Sequence, residues 1–111
     1  MKQDKILSLL GLDKKARRLA GREFSVANAV KDGSARLVIV ASDASENTRK
    51  LFRNTCTFYH VPYYFYSSKA ELGHALGREI QASVAVLDDG FAGSIQKQLN
   101  MVDCKEGDNN I

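Results

Sequence analysis

The chain has 111 residues, 44% hydrophobic and 26% charged, and at that length it is expected to be one domain that buries about 65% of its unfolded surface. Its longest apolar runs are about five residues, whereas a membrane span needs about 20, so its composition excludes a helical membrane protein. The formal net charge of +3 is uneven: residues 2–36 hold nine Lys/Arg against four Asp/Glu, and residues 37–111 hold seven against nine.

In chain order, "KILSLLGL" places Ile6, Leu7, Leu9 and Leu10 on one side of a short helix. Asp4 is a plausible cap and Gly11 a plausible stop. "DKKARRLAG" continues as a further turn or two and then a short strand, with a bend at Gly21. The opening stretch lacks the long apolar segment and small-residue cleavage site of a signal peptide, so a cytoplasmic location is expected. "FSVANAVKDG" has helical spacing and closes on Asp32-Gly33. "ARLVIVA" reads as a central strand covered on both faces. Residues 45–59 form an amphipathic helix with Leu51, Phe52, Thr55, Cys56 and Tyr59 inward; Asp43 with Glu46 is its expected reciprocal cap and Ser45 the alternative. "VPYYFYS" is the next strand, starting after Pro62. A helix follows, capped by Ser67 or Ser68, with Leu72, Ala75 and Leu76 inward and Gly77 at its end. "SVAVLDD" is a strand, and "GFAGSIQKQL" a last helix carrying Phe91, Ile95 and Leu99. Strand–helix alternation predicts an α/β domain over residues 1–100 with helices on both faces of a small, largely parallel sheet, followed by a polar tail, 101–111.

Three carboxylates follow strands: Asp43, Asp88 and Asp89. Together they suit a Mg²⁺ site for phosphoryl chemistry. Each also sits one to three residues ahead of a helix, where a cap belongs, and the capping reading is favoured. A receiver-type phosphorylation domain is excluded, since it wants acids after its first strand and a lysine after its last. Cys56 and Cys104, with only His60 and His74, make no zinc pattern, and Cys56 reads as a small apolar residue on a helix. His60 and His74 read as surface histidines. No phosphate-binding glycine loop is present, so no cofactor is expected. The run Tyr63–Tyr66 is either a base-stacking platform or a buried strand whose hydroxyls find partners, and the second is favoured. The basic first third points to an anionic partner, nucleic acid first, or to a solubilising face.

The segments "ARLVIVASDAS", "VPYYFYSSKAELGHALGRE" and "VAVLDDGFAGSI" resemble the ribosomal protein L7Ae/L30e superfamily, and within it the bacterial YlxQ-type branch. The match runs in order and spacing from about Leu7 to Leu99. The resemblance implies a three-layer α-β-α sandwich around a small four-stranded mixed sheet, in place of a parallel one. It also implies a structured RNA ligand, kink-turn-like or ribosomal, with possible attachment to a ribonucleoprotein. Such RNA would be held by the N-terminus of the second helix and by the loop before the last strand. In kink-turn binders that helix starts Gly-x-Asn-Glu-x-x-Lys. Counted back from "ARLVIVA", Phe24, Ser25 and Asn28 stand where Asn, Glu and Lys are usual, and a one-residue shift to use Gly21 does not restore them.

The expected RNA surface therefore comprises Lys14, Lys15, Arg18, Arg22, Phe24, Ser25, Asn28 and Lys31 with Arg78, Ile80, Gln81 and Ala82; Arg17 adds to the surrounding charge. A helix N-terminus offers free N–H groups to phosphate, and nearby cations add salt-dependent attraction. The protein is expected to be a non-enzymatic RNA binder. Its rivals are a protein-interaction module of the same fold and, less favoured, a Mg²⁺-dependent phosphoryl enzyme.

Overall fold

The computed structural model describes residues 5–16 and 18–101. Asp4, Arg17, Cys104 and the tail from 102 onward lie outside the described residues. Helix α1 is Lys5–Lys15, strand β1 Leu19–Ala20, helix α2 Glu23–Asp32, strand β2 Leu37–Val40 and helix α3 Glu46–Tyr59. Strand β3 is Tyr63–Phe65, helix α4 Lys69–Ala75, strand β4 Ser83–Val86 and helix α5 Asp89–Met101. Sheet order is β1-β4-β2-β3. β2 and β3 run parallel, Val38 opposite Tyr63, while β4 runs antiparallel to both β1 and β2, with Val40 opposite Ser83 and Leu19 opposite Val86. The sheet is therefore mixed, and the largely parallel arrangement read from strand–helix alternation does not hold.

Helix α1 packs on α4 and α5, and α2 packs on α3, which gives helix, sheet and helix layers: a three-layer α-β-α sandwich. All four residues of β2 and of β4 are buried, as strands with helices on both sides must be. Ile6, Leu10, Leu72, Ile95 and Leu99 close one side of the sheet, and Val26, Val30, Phe52 and Cys56 the other.

Several expected boundaries change for physical reasons. Gly11 does not stop α1. A Cβ there would lie 3.3 Å from the carbonyl oxygen of Ala75, so its bare Cα lets α1 approach α4 closely. Gly33 does close α2, at φ 86°, with its N–H donating to Ala29 and Val30, a turn that suits glycine. Ser45, not Asp43, caps α3, accepting from the Thr48 N–H. The inward stripe of α3 is narrower than its spacing suggests, since Phe52 and Cys56 are buried whereas Leu51 and Tyr59 are exposed. Ser68 caps α4, accepting from the Glu71 N–H, and Ser67 donates to the Glu71 carboxylate.

Tyr63, Tyr64 and Phe65 are buried. The Tyr64 hydroxyl donates to Asn100 Oδ1 at 3.0 Å and accepts from Gln96. This stretch is thus core strand and not a stacking platform. Burial also pushes the Cys56 thiol up to about 12, which keeps it neutral and unreactive.

Candidate nucleic-acid interface

The direction of β4 decides what meets what. Running antiparallel, it brings the loop before it, 77–82, to the end of the sheet where β1, β2 and β3 finish and α2, α3 and α4 begin. Hydrogen bonds tie that end together. Ala41 N–H donates to Ala82 O at 2.8 Å, Ser42 N–H to Ser67 O at 2.8 Å, and Gln81 N–H to Lys69 O at 2.9 Å. Asp43 accepts from the Lys69 N–H at 2.8 Å, so it serves the start of α4 rather than that of its own following helix.

Gln81 is the central tie. It is 4% exposed. Its amide Nε2 donates to the Gly21 carbonyl and, at 2.7 Å, to the Ser83 carbonyl. A Cβ on Gly21 would lie 3.0 Å from that Nε2, so a glycine lets the amide reach the backbone. The loop before β4 and the start of α2 are thereby fixed to one another. On either side of this tie two large apolar residues face outward, Phe24 at 77% and Ile80 at 62% exposure. Arg22 is the N-cap of α2 in extended conformation and makes no side-chain hydrogen bond to the helix. The side chains at the starts of α3 and α4 do cap their helices. The first N–H groups of α2, with the positive end of its dipole, are left without that competition.

The other residues of the expected surface fall in different places. Ser25 is half-buried and Asn28 exposed one turn along α2. Ala82 is half-buried, with its carbonyl in the Ala41 hydrogen bond. Lys14 Nζ donates to Leu76 O at 2.7 Å, at the far end of α4, beside exposed Arg78, whose N–H donates to Gly73 O. Lys15 is exposed in the last turn of α1. Arg18 lies at the opposite end of the sheet, in an ion pair with Asp88 at 2.9 Å. Lys31 is in the last turn of α2, about 13 Å along the axis from Arg22 at 1.5 Å per residue. The cations thus divide between two ends of the molecule, because a strand and a helix each carry the chain from one end to the other.

The three carboxylates divide in the same way. Asp43 follows β2, and Asp88 and Asp89 follow β4; since β2 and β4 are antiparallel, they end on opposite sides. Asp88 accepts from the Phe91 N–H at 3.0 Å and so caps α5. Among the described residues no group of three or more His, Cys, Asp or Glu is placed to hold one metal ion.

Sequence reasoning missed two features of this geometry: the inward turn of Gln81, and Gly73, where a Cβ would lie 2.7 Å from Ile80 Cα. A glycine on the inward side of a short helix was the available signal for the second.

A model of the ribosomal protein L7Ae/L30e/S12e/Gadd45 family matches residues 4–95. The RNA-binding protein YlxQ of Bacillus subtilis (strain 168) is 40% identical over 87 residues, 78% of this chain and 87% of its own length. That of Enterococcus faecium is 34% identical over 91 residues, 81% of this chain and 86% of its own. A solved structure of a Bacillus halodurans protein with unknown function superposes with a TM-score of 0.85 at 35% identity, covering 88% of this chain and 99% of the other. A Giardia lamblia 15.5kD RNA binding protein shares the fold, with a TM-score of 0.74 at 20% identity over 93% of this chain and 92% of its own.

Proposed function

Because the chain belongs to the ribosomal protein L7Ae/L30e/S12e/Gadd45 family, we propose that it binds structured RNA, kink-turn-like or ribosomal, through the start of α2 and the loop before β4. It is an RNA-binding protein of that family and not an enzyme. The observation that carries the proposed surface is the buried Gln81 side chain, which bonds to Gly21 and Ser83 and so sets an uncapped helix N-terminus, Arg22, Phe24 and Ile80 along one edge. A phosphate suits the free N–H groups. Arg22 adds a cation, and the exposed apolar pair suits splayed bases of the kind distorted RNA presents.

Phe24 and Ser25 offer stacking and a hydroxyl, and Asn28 an amide that both donates and accepts, where a kink-turn reader would have Asn, Glu and Lys. The proposed recognition is therefore by shape and stacking more than by charged contacts to base edges. Arg78, in the loop before β4, would border the site on the α4 side, and Lys14 and Lys15, farther off at the end of α1, would add longer-range attraction. No helix among the described residues is long and apolar enough to cross a membrane, and the proposal sets the protein at work in the cytoplasm.

The test is a titration of a kink-turn hairpin without single-stranded tails, at several salt concentrations. Phe24→Ala should weaken binding about five- to 150-fold, the range for loss of one base–aromatic stack. Arg22→Ala should lower the salt slope by about one, and Lys31→Ala should leave both unchanged. An unaltered Kd and slope in the Arg22→Ala/Phe24→Ala double variant would reject this edge. A wild-type protein with no affinity for structured RNA would favour the protein-interaction reading, which the exposed apolar pair also suits.

A further inference from the structure

At the end of the sheet away from the start of α2, the C-terminal ends of α2 and α3 enclose an open cleft of about 370 Å³, lined by Lys31, Arg36, Tyr59, His60 and Pro62 among others. Lys31, Arg36 and His60 are exposed. The Arg36 Nε lies 3.1 Å from Asp89 Oδ1, in a pair whose two side chains are 49% and 84% exposed, so the guanidinium stays open to solvent. The one acid in the lining, Asp32, accepts at Oδ1 from the Ser34 N–H at 2.9 Å and from the Ser34 hydroxyl at 2.7 Å, bonds that favour its ionised form and hold the carboxylate against its own turn. Tyr59 forms one wall, and the Phe58 ring meets it edge to face at 4.9 Å between centroids. Phe58 is 73% exposed and Tyr59 41%, an aromatic pair left in water beside a cleft that carries Lys31 and Arg36.

We infer that this cleft binds a single-stranded segment of RNA. Cations that track a backbone, set beside aromatic faces on which bases stack, are what single-strand binding requires. A protein groove would want apolar walls, and here the aromatic pair stands beside the Lys31 ammonium, the Arg36 guanidinium that Asp89 shares, and an imidazole. The cleft is also continuous with the proposed structured-RNA surface: Phe24, Asn28 and Lys31 recur at one-turn spacing and share one exposed side of α2. A strand leaving an RNA element docked at the start of α2 would run along that side to the cleft. This inference rests on RNA being the ligand, but it uses residues that the structured-RNA surface does not.

The experiment measures fluorescence anisotropy of a labelled eight-nucleotide oligouridine with the full chain, in parallel with the tail-less hairpin above. Phe58→Ala should weaken oligouridine binding roughly tenfold, one stacked base being lost, and Lys31→Ala/Arg36→Ala should lower its salt slope by about 1.4, roughly 0.7 for each cation on a single strand. Both should leave the hairpin Kd unchanged, whereas Arg22→Ala/Phe24→Ala should weaken the hairpin and leave oligouridine unchanged. The altered side chains are exposed, and a charge-reversed Lys31→Glu serves if Phe58→Ala fails to fold. Wild-type protein that does not bind oligouridine, or binds it equally after the cleft substitutions, overturns the inference and leaves the cleft to an acidic protein partner. The hairpin result is untouched by that outcome, so the two proposals fail separately.

Discussion

Gln81 illustrates how a polar loop residue can act without facing its ligand. The sequence offers it as one of several surface groups before the last strand, yet both hydrogen bonds of its amide nitrogen go to backbone carbonyls, those of Gly21 and Ser83. Gln81→Ala removes both donors from a buried position, and carbonyls left without partners cost about 1–3 kcal/mol. Urea denaturation should show a loss of that size, and the hairpin affinity should fall with it because the loop is no longer fixed to α2. Gln81→Glu should be worse, since a carboxylate turns acceptors toward acceptors. A urea midpoint unchanged in both variants would mean that other contacts hold the loop.

Among the elements, α4 is the one whose role periodicity conceals. Its caps, Ser68 and Asp43, and the hydrogen bond from Gln81 to Lys69 hold its first turn at the proposed interface. Gly73 lets the returning loop lie against its middle. An alanine there would set its Cβ 2.7 Å from Ile80 Cα and 2.8 Å from the Glu79 carbonyl. These are backbone atoms and cannot turn aside. The gain of about 1 kcal/mol in helix propensity should be outweighed by overpacking, typically about 1–3 kcal/mol. Gly73→Ala is therefore expected to lower the urea midpoint and to speed hydrogen exchange at the Gln81 amide. Gly93→Ala in α5 should do the opposite and raise stability, since nothing lies within 4 Å of its added Cβ. If Gly73→Ala stabilised the protein as Gly93→Ala does, the close approach would not constrain the loop.

For the molecule as a whole, the reversal of β4 is the decisive feature. It gathers three helix starts and the 77–82 loop at one end, and it sends Asp88, Asp89, Arg18, Lys31 and Arg36 to the other. A Mg²⁺ site built from Asp43, Asp88 and Asp89 would need both ends at once. Millimolar Mg²⁺ is accordingly expected to leave the thermal midpoint unchanged; a rise that Asp89→Asn abolished would return the phosphoryl reading to consideration. The same division makes two RNA contacts of what charge counting joins into one. Lys31 lies close to Arg22 in sequence, but nine residues of helix carry it along the face of the sheet from one end to the other.

The order and type of the elements, a serine cap at 67 or 68, the glycine turn at Gly33 and the burial of Cys56 were legible in the sequence, whereas Ser45 stood there only as the alternative to Asp43. Helix periodicity, capping and turn chemistry act between residues a few positions apart, so a linear reading contains the interacting partners. Family membership was legible for a related reason: motifs in separate segments agreed in order and spacing. The direction of β4, the narrowing of the α3 stripe, the inward turn of Gln81 and the parting of the cations were decided only when distant segments packed. These depend on pairings such as Val40 with Ser83 and Gly21 with Gln81, whose partners stand some 40 to 60 positions apart. No local pattern carries the geometry of such a pair; it is fixed by which strands and faces can be buried together.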